Sequence, residues 1–106
     1  MKILMVCLGN ICRSPLAEGI LKKKNHNKHL IELIESAGTA SYHVGKYADK
    51  RSIEIGTQNN IDIRQHKARK FKQSDFKKYD IIYAMDQNNY HDLKKLALNI
   101  KEEKKN

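Results

Sequence analysis

A chain of 106 residues with a formal charge of +9 at pH 7 has room for one domain, residues 1–106, and a modest core; 40% hydrophobic content is still enough for a globular fold. No apolar run is long enough to span a bilayer, and no secretory leader is expected, because Met1-Lys2 leads straight into a short apolar stretch. Cys7 and Cys12 fall in one short segment with no Cys/His set at zinc spacing, which excludes a disulfide framework, gives no reason to expect a metal or cofactor, and suits a reduced, cytoplasmic setting.

The first predicted element is a buried strand over the apolar run Ile3 to Val6. Cys7-Leu8-Gly9-Asn10-Ile11-Cys12-Arg13-Ser14-Pro15 follows, and Leu16 to Leu21 then carry apolar residues at helical spacing. The whole reads as strand, loop, helix. Ser14 is a good cap and Pro15 loses no hydrogen bond at a first helical position, so the helix is placed at 15–25. Backbone N–H groups at such a start, with the helix dipole behind them, make an anion site. Arg13 adds a planar fork able to grip two oxygens of a phosphate. The donors and positive charge that hold a phosphate also favour a thiolate over a thiol, which makes Cys7 a candidate nucleophile. A lone cysteine closing an apolar strand is most often a buried small hydrophobe. Gly9, Asn10, Arg13, Ser14 and Pro15 in this order turn the balance towards a site.

On the helix, Leu16, Ala17, Ile20 and Leu21 are expected to face inward, with Glu18 and Lys22 to Lys24 elsewhere. Asn25 to His29 ends it, and Leu30 to Ser36 reads as a second strand. Strand, helix and strand within so few residues imply a right-handed crossover and a parallel sheet, whose ligand sites lie at the carboxyl ends of the strands, where Cys7 stands. A loop rich in small residues runs from Ser36 to Gly45. Asp49 to Asn59 reads as a helix with Ala48, Ile53 and Gly56 inward, and Asn60 to Ile63 as a turn and short extended piece. His66 stands alone and is read as structural. A short helix is expected within Phe71 to Lys78, a third strand over Tyr79 to Met85, and a last helix from Gln87 to about Lys105, capped by Asp86 and apolar along Leu93, Leu96, Ala97 and Ile100. The lysines lie in scattered clusters without interleaved aromatics, so a nucleic-acid partner is disfavoured against a field that draws in anionic phosphoesters.

The string Cys7 to Pro15 resembles the signature loop of the low-molecular-weight protein tyrosine phosphatases, which reads much like CLGNICRSP. The resemblance implies a three-layer α/β fold on a small parallel sheet, and hydrolysis of phosphotyrosine-type phosphomonoesters through a phosphocysteine. Carried over, Cys7 attacks phosphorus and Arg13 clamps the equatorial oxygens. Ser14 stabilises the thiolate, Asn10 holds the loop in shape with support from Ser36 and His66, and Leu8, Gly9, Asn10, Ile11, Cys12 and Arg13 surround the phosphate. Tyr42 takes the place of an aromatic pocket wall that is tryptophan in many members. Cys12 corresponds to a redox guard that can pair with the nucleophile. The implied partner is a phosphotyrosine-containing protein or a small aryl phosphate, with no metal and no membrane. Relatives acting on phosphoarginine carry threonine where Ile11 stands.

Against the family pattern, the chain is expected to stop short of a fourth strand, a loop reading Asp-Pro-Tyr and a closing helix, leaving three strands. No general acid is therefore assigned and activity is expected to be impaired. The bared edge of the third strand is expected to invite self-association. Two alternatives share the scaffold. One is a non-catalytic phosphate- or phosphotyrosine-binding remnant. The other is an arsenate reductase, disfavoured because Ala84 to Leu93 offers no cysteine for a disulfide cascade.

Overall fold

The computed structural model describes the backbone of residues 1–26, 28 and 30–105, and their side chains up to residue 97. Its elements are β1 (Lys2–Cys7), α1 (Arg13–Asn25), β2 (Leu33–Gly38), α2 (Lys50–Gln58), α3 (Asp75–Lys78), β3 (Ile81–Ala84) and α4 (Gln87–Lys105). The strands form one parallel sheet in the order β2-β1-β3. Cys7 is paired with Gly38 on one side, and Val6 with Ala84 on the other. A central parallel strand is covered on both faces, which is why Ile3 to Cys7 is a continuous buried run.

Alternation along β2 separates the two faces of the sheet. Ala37, with Leu33 beside it, belongs to the core of Leu4, Val6, Phe71, Tyr79 and Leu93, into which Leu96 of α4 also packs. Ser36 turns the other way and donates to Glu18 of α1. Helices therefore lie on both faces, as expected. Two glycines let the helices on the α1 side approach. A Cβ on Gly19 would come 2.6 Å from Ile61 Cγ2, and one on Gly56 would come 2.6 Å from the Ile61 carbonyl oxygen.

Several boundaries differ from expectation for local reasons. The second strand begins at Leu33 and not Leu30, because Asn25 Oδ1 accepts from the N–H groups of Leu30 and Ile31 at 3.0 Å while its Nδ2 donates to the Ile31 carbonyl at 2.8 Å. Those two residues are tied to the helix end before the sheet begins. Ile20 is exposed and Ile53 only half-buried. The most buried positions of α1 are Ser14 and Pro15, at its start, where the helix rests on the loop. Asp49 caps α2 by accepting from Arg51 N–H at 3.1 Å, and Asp86 caps α4 by accepting from Asn89 N–H at 2.8 Å. Ile100 lies outside the described side chains. Among the described residues, no helix is long and apolar enough to cross a membrane.

Candidate active site

The loop between β1 and α1 places Cys7 at the buried end of a central strand and Arg13 at the first helical position. Cys12 holds the cap position, without a side-chain cap bond, so the helix starts earlier than expected and Ser14 is not its cap. Pro15 then falls third in the helix, still among the positions whose N–H has no intrahelical acceptor. Ser14 is left to turn inward. Its Oγ lies 2.9 Å from Cys7 Sγ.

The hydrogens behind the loop can be assigned in sequence. Arg69 N–H donates to Asn10 Oδ1 at 3.0 Å, which fixes the orientation of the Asn10 amide. Asn10 Nδ2 therefore donates to Ser14 Oγ at 2.8 Å and to Ser36 Oγ at 3.0 Å. The Ser36 hydroxyl in turn donates to Glu18 Oε1 at 2.6 Å. Ser14, already an acceptor from Asn10, has its hydroxyl proton available for the sulfur. The Asn10 backbone N–H is a second donor to Cys7 Sγ, at 3.2 Å. Asn10 is fully buried with φ +58°, a left-handed conformation that asparagine tolerates better than most residues. His66 Nε2 lies 3.1 Å from the Asn10 carbonyl, an acceptor that requires the proton on Nε2, while its Nδ1 lies 3.8 Å from Glu18 Oε1. Lys22 closes the other Glu18 oxygen at 2.6 Å.

At the mouth, Cys7, Leu8, Gly9, Ile11, Cys12, Arg13, Tyr42 and His43 line a cavity of about 310 Å³. Tyr42 stands 70% exposed with its ring edge-on to His43, the centroids 6.0 Å apart. His43 packs against the loop, and a Cβ on Gly9 would come 2.8 Å from its Cδ2. Its buried Nδ1 has no partner among the described residues. Arg13 Nη2 donates to Asp86 Oδ2 at 2.6 Å. The Asn89 backbone N–H, and after it the Arg13 guanidinium, hold the Asp86 carboxyl below its usual range; Asp86 in turn raises Arg13. Cys7 is buried, Cys12 is exposed, and neither is in a disulfide. Among the described residues, no cluster of three or more His, Cys, Asp or Glu is arranged to hold a metal ion.

The fold thus gathers Cys7, Asn10, Ser14, Ser36 and His66 at the rear of the loop, and Cys12, Arg13 and Tyr42 at its mouth. Sequence reasoning missed Glu18, which bonds both Ser36 and Lys22, and His43, which packs on Gly9. It read Asp86 as a cap alone, whereas the second carboxylate oxygen holds Arg13. A cap position whose aspartate follows a strand beside the loop was the only available hint.

A family model described as low molecular weight phosphotyrosine protein phosphatase matches residues 2–105. The chain is 40% identical over 109 residues to the low molecular weight phosphotyrosine protein phosphatase of Dictyostelium discoideum, covering 90% of this chain and 61% of that one. A solved protein tyrosine phosphatase from Entamoeba histolytica superimposes with a TM-score of 0.85 at 47% identity, over 91% of this chain and 62% of that one. DARP, the drosophila arginine phosphatase, superimposes with a TM-score of 0.87 at 36% identity, over 93% of this chain and 63% of that one. The chain spans between 61% and 63% of the length of these relatives.

Proposed function

The chain belongs to the low molecular weight phosphotyrosine protein phosphatase family, and from that premise we propose that it hydrolyses phosphotyrosine-type monoesters, on a protein or a small aryl phosphate, through a phosphocysteine at Cys7. The observation that carries this is the pair of groups on Cys7 Sγ: the Ser14 hydroxyl at 2.9 Å, whose proton can turn to the sulfur once it is ionised, and the Asn10 N–H, which donates at 3.2 Å. A sulfur that receives two hydrogen bonds holds negative charge better than one that receives none, and only the thiolate attacks. Cys7 Sγ forms a bond to phosphorus as the bond from phosphorus to the aryl oxygen breaks, and the oxygen leaves with the electron pair. Arg13 meets the equatorial oxygens with the donors that Asp86 does not occupy. Water then attacks phosphorus, the S–P bond breaks with its electron pair returning to Cys7, and the water's proton passes to solvent.

Asp86, held as a carboxylate, positions Arg13 and is a poor proton donor near neutrality. These 106 residues contain no Asp-Pro pair, and no residue among them is assigned as the acid for the leaving oxygen. A polypeptide of this sequence therefore turns over an activated nitrophenyl ester far better than a poor leaving group, for which a missing acid costs about 10² to 10⁴ in rate. Cys12 is the proposed redox guard. Mild peroxide should yield a Cys7–Cys12 disulfide by mass spectrometry, and sulfinic acid at Cys7 alone would overturn that role. A second copy is the proposed partner for the outer edge of β3, whose residues Ile81 to Ala84 carry neither charge nor proline. Sedimentation should show weak association that Tyr83→Lys removes.

A phosphoarginine substrate is the second reading, favoured by the likeness to DARP. Ile11 on the cavity wall favours a flat aromatic ring instead. Both are tested by single-turnover and steady-state kinetics across pH 5 to 8 on nitrophenyl phosphate, phosphotyrosine and phosphoarginine. A burst followed by turnover, absent in Cys7→Ser, is expected with the aryl esters. A folded sample with neither burst nor turnover would leave only a phosphate-binding loop.

A further inference from the structure

Beside the cavity mouth, two loops join in a short antiparallel ladder. Gly45 N–H donates to the Ala68 carbonyl and Ala68 N–H to the Lys46 carbonyl, each at 2.8 Å, and Tyr47 pairs with Lys67. Both sides of the ladder are pinned to the phosphate loop. Asp49 N–H donates to the Ile11 carbonyl at 2.7 Å, and Arg69 N–H holds Asn10 Oδ1. Lys46 N–H meets the carbonyl of His43, which itself lines the cavity. The ladder and the start of α2 thus continue outward from the wall of the cavity that holds Cys7.

This surface displays Lys46, Lys50, Arg51 and Lys67, all exposed and, among the described residues, none within 4.0 Å of a carboxylate oxygen. Of its nearby acids, Asp49 caps α2 and Glu54 stands exposed one turn after Lys50, beyond 4.0 Å of any cation among the described residues, while Asp62 is closed by Arg64. Exposed Tyr42, Val44 and Tyr47 stand among these cations, with Lys67 Nζ 5.3 Å from the centre of the Tyr47 ring. Lys22 and Lys78 pair with Glu18 and Glu35, whereas Lys24, Lys70, Lys72 and Lys77 are as free of carboxylates as this group among the described residues; what sets Lys46, Lys50, Arg51 and Lys67 apart is their place on the ladder and helix start beside the cavity mouth.

We propose that this ladder and the first turn of α2 bind the acidic residues flanking the phosphorylated tyrosine of a protein substrate, an inference that rests on the phosphatase reading above. A peptide with its phosphate on Cys7 and its ring against Tyr42 continues over Lys46 and Lys67, where backbone and apolar side chains meet Val44 and Tyr47 and carboxylates meet the cations. Each exposed ion pair adds little, so the preference comes from several acting together and is salt-sensitive.

The test is fluorescence anisotropy with Cys7→Ser, which cannot form the phosphocysteine. Three peptides are compared: phosphotyrosine flanked by Asp and Glu, phosphotyrosine flanked by Ala and Ser, and the acidic peptide without phosphate. The acidic phosphopeptide is expected to bind about tenfold tighter than the neutral one at low salt. High salt and the Lys46→Glu/Lys67→Glu pair should each remove the advantage, and Lys50→Glu/Arg51→Glu should reduce it from the α2 side. Equal affinities, or an advantage that survives both reversals, would overturn the proposal. Equal binding of the unphosphorylated acidic peptide, or Lys46- and Lys67-dependent binding to phosphatidylserine vesicles without peptide discrimination, would also overturn it and assign the surface elsewhere. Inorganic phosphate separates the two inferences. If it displaces both phosphopeptides without any flank preference, the phosphatase reading stands and the docking surface falls; if no phosphopeptide binds, both fall.

Discussion

The two sides of the Cys7 loop obey different rules. Behind it, Asn10 is buried with both amide hydrogens and its side-chain oxygen engaged, and each partner is itself held: Ser14 against Cys7, Ser36 on Glu18, and the Arg69 main chain by the Gly38 N–H on its carbonyl. In front, Arg13 is 54% exposed on its side chain and is held by the single partner Asp86, with Tyr42 and Cys12 open to solvent. A buried polar network admits one arrangement, because each lost partner leaves a desolvated group behind. An exposed ion pair is replaceable by water or by a ligand oxygen. The rear therefore fixes the loop before a substrate arrives, and the mouth keeps the freedom to exchange partners.

The largest effect that follows is at Asn10. Asn10→Ala leaves Ser14 and Ser36 without their donor and Arg69 N–H without its acceptor, at a position with φ +58°. The expected loss is about 2 to 4 kcal/mol of stability by denaturant titration, with activity down about 100-fold or more. Asn10→Gly relieves the backbone conformation but not the hydrogen bonds, and should recover only a minor part. If glycine restored most of the stability, the hydrogen-bond network would not be what distinguishes the rear from the mouth.

At the mouth, Asp86→Asn should hardly move the melting temperature while lowering kcat/KM about tenfold through a looser Arg13. The pH dependence sharpens this. Because the folded Asp86 carboxyl lies below its ordinary value of 3.8, its contribution is fully present above that value and is lost as pH falls through the lower folded value. Asp86 thus stays ionised across pH 5 to 8. The variant should lower the plateau of the rate profile and leave its apparent pKa values in place; a displaced acid limb would mean that Asp86 titrates in the reaction. Tyr42→Ala comes next, with an expected rise of about 2- to 10-fold in KM for aryl phosphates and little change in kcat, since an exposed ring contributes stacking and no hydrogen bond to the loop.

The same division explains how much was legible in the sequence. The strand, loop and helix around Cys7 followed from an apolar run and helical spacing, both local signals, while the Ser-Pro pair marked the helix two residues late. The parallel sheet followed from two strands with a helix between them. Asn10, Ser36 and His66 were identified through family resemblance, and the geometry unites them although they are far apart in the chain. Glu18 was misread because spacing placed it away from the apolar stripe, yet it is half-buried beneath Ser36. The hold of the Arg69 main chain on Asn10 leaves no side-chain signature at all. The late start of β2 turned on the Asn25 side chain reaching Leu30 and Ile31, a choice that neither strand propensity nor periodicity expresses.

The smallest effect concerns how far the rear network reaches. Arg69, whose N–H orients Asn10, has its guanidinium on Asp75 at 2.9 Å and on the Tyr79 hydroxyl at 3.3 Å, and that hydroxyl donates to Glu35. Burial first, and then the Glu35 carboxylate, push the Tyr79 phenol up to about 12. A phenol raised in the folded state stabilises below its ordinary value of 10.0, and that contribution is lost as pH climbs towards 12. Tyr79→Phe should cost about 1 kcal/mol at neutral pH, and the gap between the two proteins should narrow between pH 10 and 12 in thermal melts. Turnover should change less than twofold, because Asp75 still holds the Arg69 side chain and the backbone bond to Asn10 is untouched. A large loss of activity without loss of stability would extend the ordered rear through the Arg69 guanidinium to Tyr79. An unchanged rate with the expected alkaline signature would end that order at the Arg69 main chain.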